Sequence, residues 1–221
     1  MSAIAALIRR DLTIAVRQGS SLGVAIGFFL TIVVLLPIGL GPDQALLERI
    51  APGALWIALL MSVLLSAERI YQTDFEDGSL ELLTMGETAF EMVTLAKAVV
   101  QWLTAGLPLA IIAPLLGFLV NISPAQVVPL ALAMIIGSLG LSLLAMLGAA
   151  ITAGLRRGGL MLSLITLPLY VPMLVFGVAA SSPAGAAGRP EAALAILAAL
   201  SLAALVMVPI AAAAALKSHM Q

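Results

Sequence analysis

The apolar residues of this chain run on in long blocks and do not alternate with polar ones. Charge is absent over 18–42, 50–67, 98–155, 158–188 and 192–216. A helix needs about 20 apolar residues to cross a hydrocarbon layer of ~30 Å. The blocks predict spanning helices over 22–40, 51–67, 159–180 and 192–216. The 58-residue block 98–155 is too long for one crossing and suits two. Asn121-Ile122-Ser123-Pro124-Ala125-Gln126 reads as a turn in its middle, which gives spans over 99–120 and 127–153. A closed barrel is the other way to cross a bilayer, and its strands alternate apolar and polar positions. These runs are continuous and rich in Leu, Ala and Ile. The expectation is an all-α membrane protein with six transmembrane helices in one integral membrane domain, 1–221.

Composition agrees with lipid as the main solvent. Of 221 residues, 62% are hydrophobic and 10% charged, against roughly 25% charged in soluble domains. A net charge of −1 gives no basic field for nucleic acid. Cysteine is absent, which excludes disulfides, thiolate metal sites and a Cys nucleophile. His219 is the single histidine, so no multi-His metal site can form within the chain.

Lys and Arg set the orientation. Arg9, Arg10, Arg17, Arg69, Lys97, Arg156, Arg157 and Lys217 fall on one side of the six spans, and Arg49 and Arg189 on the other. The positive-inside rule places both termini in the cytoplasm. No convincing small-residue cleavage site follows the first apolar run, so removal as a signal peptide is not expected.

Two segments outside the spans stand out. Residues 1–20 read as an interfacial amphipathic helix, with Ile4, Leu7, Ile8, Leu12 and Ala15 at helical spacing and Arg9, Arg10, Thr13 and Arg17 in other directions. A simple basic flank is the plainer alternative. Gly19-Ser20-Ser21 is expected to break this helix before the first span. The segment 68–97 carries seven acids against two bases, a net charge of −5. Its Asp77-Gly78 is a turn signal, Ser79-Leu80-Glu81-Leu82-Leu83-Thr84-Met85 a short apolar helix, and Thr88-Ala89-Phe90-Glu91 a capping box. Two readings stay open for it. A short helix with an apolar face in an acidic setting can dock into a groove on a soluble partner. Equally, the loop can fold back on its own helix ends. The turn Gly154-Leu155-Arg156-Arg157-Gly158-Gly159 is doubly basic and suits lipid phosphate, with a second docking contact as the alternative.

The spans as bounded hold no formal charge, which argues against an ion-coupled transporter acting alone. Gly137, Gly140, Gly148 and Gly154 permit close helix packing. Pro108 and Pro114 punctuate the third span, and Pro168 and Pro172 flank Tyr170 in the fifth, where flexible packing is the plain reading. Tyr170 and Trp102 are weak candidates for contact with an amphipathic substrate. No Gly-x-x-x-x-Gly-Lys-Ser/Thr and no nucleophile–base pair occurs. The chain is read as carrying no catalytic, cofactor or metal site of its own.

The stretch from Ser66-Ala67-Glu68-Arg69-Ile70-Tyr71-Gln72-Thr73-Asp74 through Phe75-Glu76-Asp77-Gly78-Ser79-Leu80-Glu81 resembles the signature region of the CcmB family. The 154–159 turn, Ala51-Pro52-Gly53-Ala54-Leu55-Trp56 and the Ala-rich last span are also similar to that family, so the likeness covers essentially the whole chain. These are membrane permeases of cytochrome c maturation, also called haem exporter protein B. The resemblance implies an ABC-2 exporter-type permease of the bacterial inner membrane, with an N-terminal amphipathic helix and a cytoplasmic coupling helix in 68–97. It implies a separate ATPase subunit, CcmA, which binds the ATP, together with the membrane proteins CcmC and CcmD. The haem chaperone CcmE is an indirect partner, and haem is a possible substrate. Residues implied in ATPase coupling are Glu68, Arg69, Asp74, Asp77, Gly78, Leu80, Glu81, Leu82 and Leu83. Leu80, Leu82 and Leu83 are the apolar contacts, while Glu68, Asp74 and Asp77 serve a polar network or meet basic groups. Arg156 and Arg157 are a secondary cytoplasmic contact. Two permease copies are expected, because six spans rarely make a full path; span four, rich in glycine, and span one are suspects for the shared face. A permease of the same fold for another amphipathic substrate, or a non-transporting membrane scaffold, are the alternatives.

Overall fold

Among the described residues of the computed structural model, six helices are long and apolar enough to cross a membrane. The structure describes residues 3–18, 20–68, 70–76, 78–81, 89–155, 158–182 and 189–219, and no strand occurs among them. Helix α1 is Ala3–Gln18, α2 Ser20–Leu40, α3 Gln44–Ala67 and α4 the short Gln72–Glu76. The third crossing is composite: α5 Phe90–Gln101, a π-helical segment Trp102–Gly106, α6 Leu107–Gly117 and a 3₁₀ turn Phe118–Val120. Then follow α7 Pro124–Thr152, α8 Gly158–Ser181 and α9 Pro190–His219.

The ends of these helices have local causes. Asp43 caps α3, its carboxylate accepting from the Leu46 amide at 3.1 Å. The second spanning helix therefore opens at Gln44, ahead of the expected 51, and Pro52 lies inside it. At the 121–126 turn, Asn121 takes the left-handed conformation (φ 58°). Ser123 and Gln126 then form a capping box, with Pro124 in the first helical turn. The side-chain Nδ2 of Asn121 donates to the Gln44 carbonyl at 3.1 Å, which ties this turn to the start of α3.

Two boundaries differ from expectation. Ser20 and Ser21 belong to the first turn of α2, so any break after α1 is narrower than three residues; residue 19 lies outside the described residues. The third spanning helix starts at Phe90 with Ala89 as an N-cap that makes no side-chain bond. The capping box expected of Thr88 and Glu91 falls on Thr88, which lies outside the described residues. Lys97, placed by sequence just before a span, is therefore well inside a membrane-length helix.

Helices α3 and α7 form the centre, with α5–α6, α8 and α9 around them. In the apolar window of α3, 67% of residues are buried, against 17% in α2, so α2 is peripheral. It packs on α3, while α1 runs against α5. Outward-facing residues such as Ile38, Leu160, Leu164 and Met207 are apolar and exposed, which suits lipid.

The glycines of α7 are spent inside this bundle. A Cβ on Gly140 would meet Met173 and Ser201, and one on Gly148 would meet Thr166 and Leu162. Gly137 faces the Trp56 ring. The suspicion that this stripe forms a face between two copies is corrected: intrachain neighbours fill it. Gly154 lies beyond α7, in the following turn, with φ +82°.

Candidate functional site

One end of the bundle gathers segments that sequence assigned to one side. Helix α4 has too few residues to be stable alone. Two contacts hold it. Phe75 packs over Gly154, where a Cβ would lie 2.9 Å from the ring. Asp74 points the other way, into a buried charge cluster.

That cluster joins three elements distant in sequence. Lys97 of α5 donates from Nζ to Oδ2 of Asp74 and, at 3.1 Å, to Oδ2 of Asp11 on α1. Arg10 donates from Nη2 to Oδ1 of Asp74 at 3.1 Å and from Nε to Oδ1 of Asp11 at 2.8 Å. The Ser79 hydroxyl donates to Asp74 Oδ1 at 2.9 Å. The Lys97 side chain is 4% exposed and that of Asp74 9%. Two acids and two bases leave no net charge, and an unpaired charge at such depth is strongly destabilising. The Lys97 ammonium also lies 5.9 Å from the centroid of the Tyr71 ring. The Arg10 guanidinium is held above its ordinary value: burial opposes its charge, and the hydrogen bond and charge of Asp11, with those of Asp74, outweigh it. Burial, aided by the Asp74 charge, pushes the Tyr71 phenol up, so it stays neutral.

The two open readings of 68–97 are thus divided residue by residue. Asp74 and Leu80 fold back: Leu80 is 2% exposed and belongs to the core. Leu80 as an apolar contact for a partner is corrected, because the side chain is already covered. Glu68, Gly78 and Glu81 are exposed. Gly78 has φ +73°, a conformation that costs other L-residues energy, and the Asp77-Gly78 turn signal rests on it. Arg69, Asp77, Leu82, Leu83, Arg156 and Arg157 lie outside the described residues.

Phe75 and Leu155 escaped the sequence reading. They are 43% and 50% exposed, and Phe75 seats on the turn that carries Leu155. The carboxylate of Glu68 lies against Gly159 in the first turn of α8, where any Cβ would collide with it. An acid there also complements the positive end of the helix. Through Phe75 on Gly154 and Glu68 against Gly159, two segments treated as separate features in sequence meet on one surface. No sequence signal short of that pairing marks Phe75.

Above the cluster the third spanning helix is tied inward. Gln101 donates to Ser66 Oγ at 2.5 Å, and the Trp102 indole donates to Ser138 Oγ at 3.0 Å. The Leu107 amide bonds to the Trp102 carbonyl, five residues back, which is the wide turn of a π-helix. Pro108 follows with no amide proton to give. Tyr170 is fully buried and donates to the Leu141 carbonyl at 3.0 Å. Tyr170 is thus engaged in helix packing, which corrects its reading as a substrate contact, while Trp102 is half-buried. Among the described residues no group of three or more His, Cys, Asp or Glu is arranged to hold a metal.

Fold and site define a multi-pass, all-α membrane protein whose extramembrane elements are clamped onto one end of the bundle. The chain belongs to the CcmB protein family, which it matches over residues 2–219. It is 48% identical over 217 residues to Heme exporter protein B of Paracoccus denitrificans, covering 98% of this chain and 99% of that one. The protein of the same name from Bradyrhizobium diazoefficiens is 45% identical over 221 residues, 98% of each chain. That of Escherichia coli K12 is 39% identical over 215 residues, 97% of this chain and 98% of its own.

Proposed function

We propose that this chain is the transmembrane permease subunit of an ATP-driven, ABC-type complex in cytochrome c biogenesis. It sits in the bacterial inner membrane with both termini cytoplasmic. A separate ATPase subunit, CcmA, hydrolyses ATP beneath it, and CcmC and CcmD accompany it. The work drives haem export or the release of the haem-loaded chaperone CcmE. The name heme exporter, carried by relatives matched over nearly their whole length, supports haem as the cargo of the complex. The chain's single histidine, His219, favours force transmission over direct carriage of haem.

One observation carries the docking part of this reading: Phe75 and Leu155 form an exposed apolar pair on a single surface with Glu68. Apolar side chains beside acids suit a cleft with a basic rim. Arg69, Asp77, Gly78, Glu81, Leu82 and Leu83 are assigned to the same coupling role from sequence, with Arg156 and Arg157 as a secondary cytoplasmic contact. Two permease copies and two ATPase subunits complete the assembly.

The test is copurification from detergent-solubilised membranes, with wild type against Phe75→Asp/Leu155→Asp as bait. Loss of the ATPase with the other membrane subunits retained is the expected result. Equal ATPase recovery from both would move docking off this surface. A wild type that brings down no ATPase would favour a membrane scaffold.

A further inference from the structure

We propose that the Arg10–Asp11–Asp74–Lys97 cluster is a joint that fastens α1, α4 and α5 into one moving body, and so makes the N-terminal helix part of the coupling lever. The joint rests on geometry alone; its use as a lever rests on the function proposed above.

The observations converge on Asp74. Its carboxylate accepts from Lys97 on α5, from Arg10 on α1 and from Ser79 beyond α4. These partners lie 64, 5 and 23 positions away for Arg10, Ser79 and Lys97 respectively. Asp11 closes the ring by accepting from both bases. A buried ion group of this kind adds little net stability, since an apolar set of the same volume does as well or better. What charge adds is direction. Apolar surfaces slide past one another at small cost, whereas charge-assisted hydrogen bonds hold partners at fixed distance and angle. A segment that must pull as well as push on a helix needs such a hold.

The load path continues along the third spanning helix. Phe75, next to Asp74, is on the exposed surface. Lys97 receives the displacement, and the π-helical segment begins at Trp102. Above it, α6 packs on the central α7. A wide turn between a gripped segment and a packed one is a place for bending. Motion of α4 is therefore delivered to α5 at Lys97 and taken up at Trp102–Gly106.

The test uses Asp74→Asn/Lys97→Met, which removes one acid and one base together and leaves Arg10 paired with Asp11. The chain has no cysteine, so spin labels can be placed on single introduced cysteines. Ile14 on α1 and Met92 on α5 are exposed and suit them. In lipid nanodiscs, the wild-type background is expected to give a narrow Ile14–Met92 distance distribution, and the double variant a broad or shifted one. An unchanged distribution would overturn the joint. In the assembled complex, the copurified ATPase is quantified alongside, so that output is scored per ATP hydrolysed whatever the amount recruited. Cytochrome c produced per ATP hydrolysed should fall roughly 3- to 30-fold, the span of coupling changes along such paths. Full output from the double variant would overturn the lever. A wild type that recruits no ATPase would sink the functional reading and the lever with it, while the distance measurement still decides the joint.

Discussion

The indole nitrogen of Trp56 donates a 2.9 Å hydrogen bond to the hydroxyl of Ser181, 125 positions along the chain. The ring that reaches this far lies between two glycines. A Cβ on Gly177 would stand 2.5 Å from it, and one on Gly137 would also overlap it. One side chain thus pins α3, α7 and α8 together. Gly137→Ala and Gly177→Ala should each cost about 1–3 kcal/mol, because a ring held on both faces cannot step aside. Gly27→Ala has nothing within 4 Å and serves as the control. Thermal unfolding in detergent compares the three; a Gly177→Ala variant as stable as the Gly27→Ala one would contradict the slot.

Tyr71 makes a different kind of prediction. Its hydroxyl is buried with no hydrogen-bond partner. Tyr71→Phe should therefore keep the stability of the wild type or gain up to about 1 kcal/mol, since removing an unsatisfied group removes its desolvation cost. Tyr71→Ala should lose about 3–5 kcal/mol through the cavity it leaves. The raised ionisation of this phenol fixes a pH effect. An unfolded tyrosine ionises near 10.0 while the buried one stays protonated, so Tyr71 lends stability below that pH and withdraws it as pH rises above. Chemical denaturation at pH 8 and near pH 11 (about one unit above the ordinary tyrosine value) should show a smaller alkaline loss in Tyr71→Phe than in wild type.

Leu80 and Phe75 should separate cleanly. Leu80→Ala removes a 2% exposed side chain and should cost about 2–5 kcal/mol. Leu80→Asp places a charge in the same spot and should fail to accumulate as a monodisperse species. Phe75→Asp alters a residue 43% exposed and should accumulate normally. Size-exclusion profiles of fluorescent fusions read both. Monodisperse Leu80→Asp would mean that this side chain is not part of the core.

Two glycines with positive φ should behave unequally. Gly78 has open space around it, so Gly78→Ala costs only the left-handed backbone, about 1–2 kcal/mol. Gly154→Ala adds a collision with Phe75 and should weaken ATPase recovery as well. Gly78→Val, bulkier and β-branched, should uncouple cytochrome c output while membrane insertion persists. Normal cytochrome c levels from a well-inserted Gly78→Val protein would refute the role given to this turn.

The sequence by itself determined the class and the number of long apolar helices. Crossing hydrocarbon demands length, apolarity and internal hydrogen bonding, and these leave their mark locally at every position of a span. The first span, read over 22–40, ends where its helix ends and starts within two residues of it, because charge and turn residues stand close to both ends. The starts of α3 and α5 were placed late, at 51 and 99. Arg49 and Lys97 read as flanks in sequence, and only the folded chain shows them on helix. Tertiary structure decided which residues of 68–97 face inward. Asp74 and Asp77 are both acids of one polar stretch, and nothing local says that Asp74 meets a lysine 23 positions later. Leu80 and Phe75 are both apolar, and only the neighbours of α4 make one core and the other surface. The glycines of α7 were legible as sites of close approach, but what approaches them, Trp56, Met173 and Thr166, comes from other helices. The physical reason is the same throughout: lipid reads each segment alone, whereas burial, pairing and close packing are settled between segments that meet only in the folded chain.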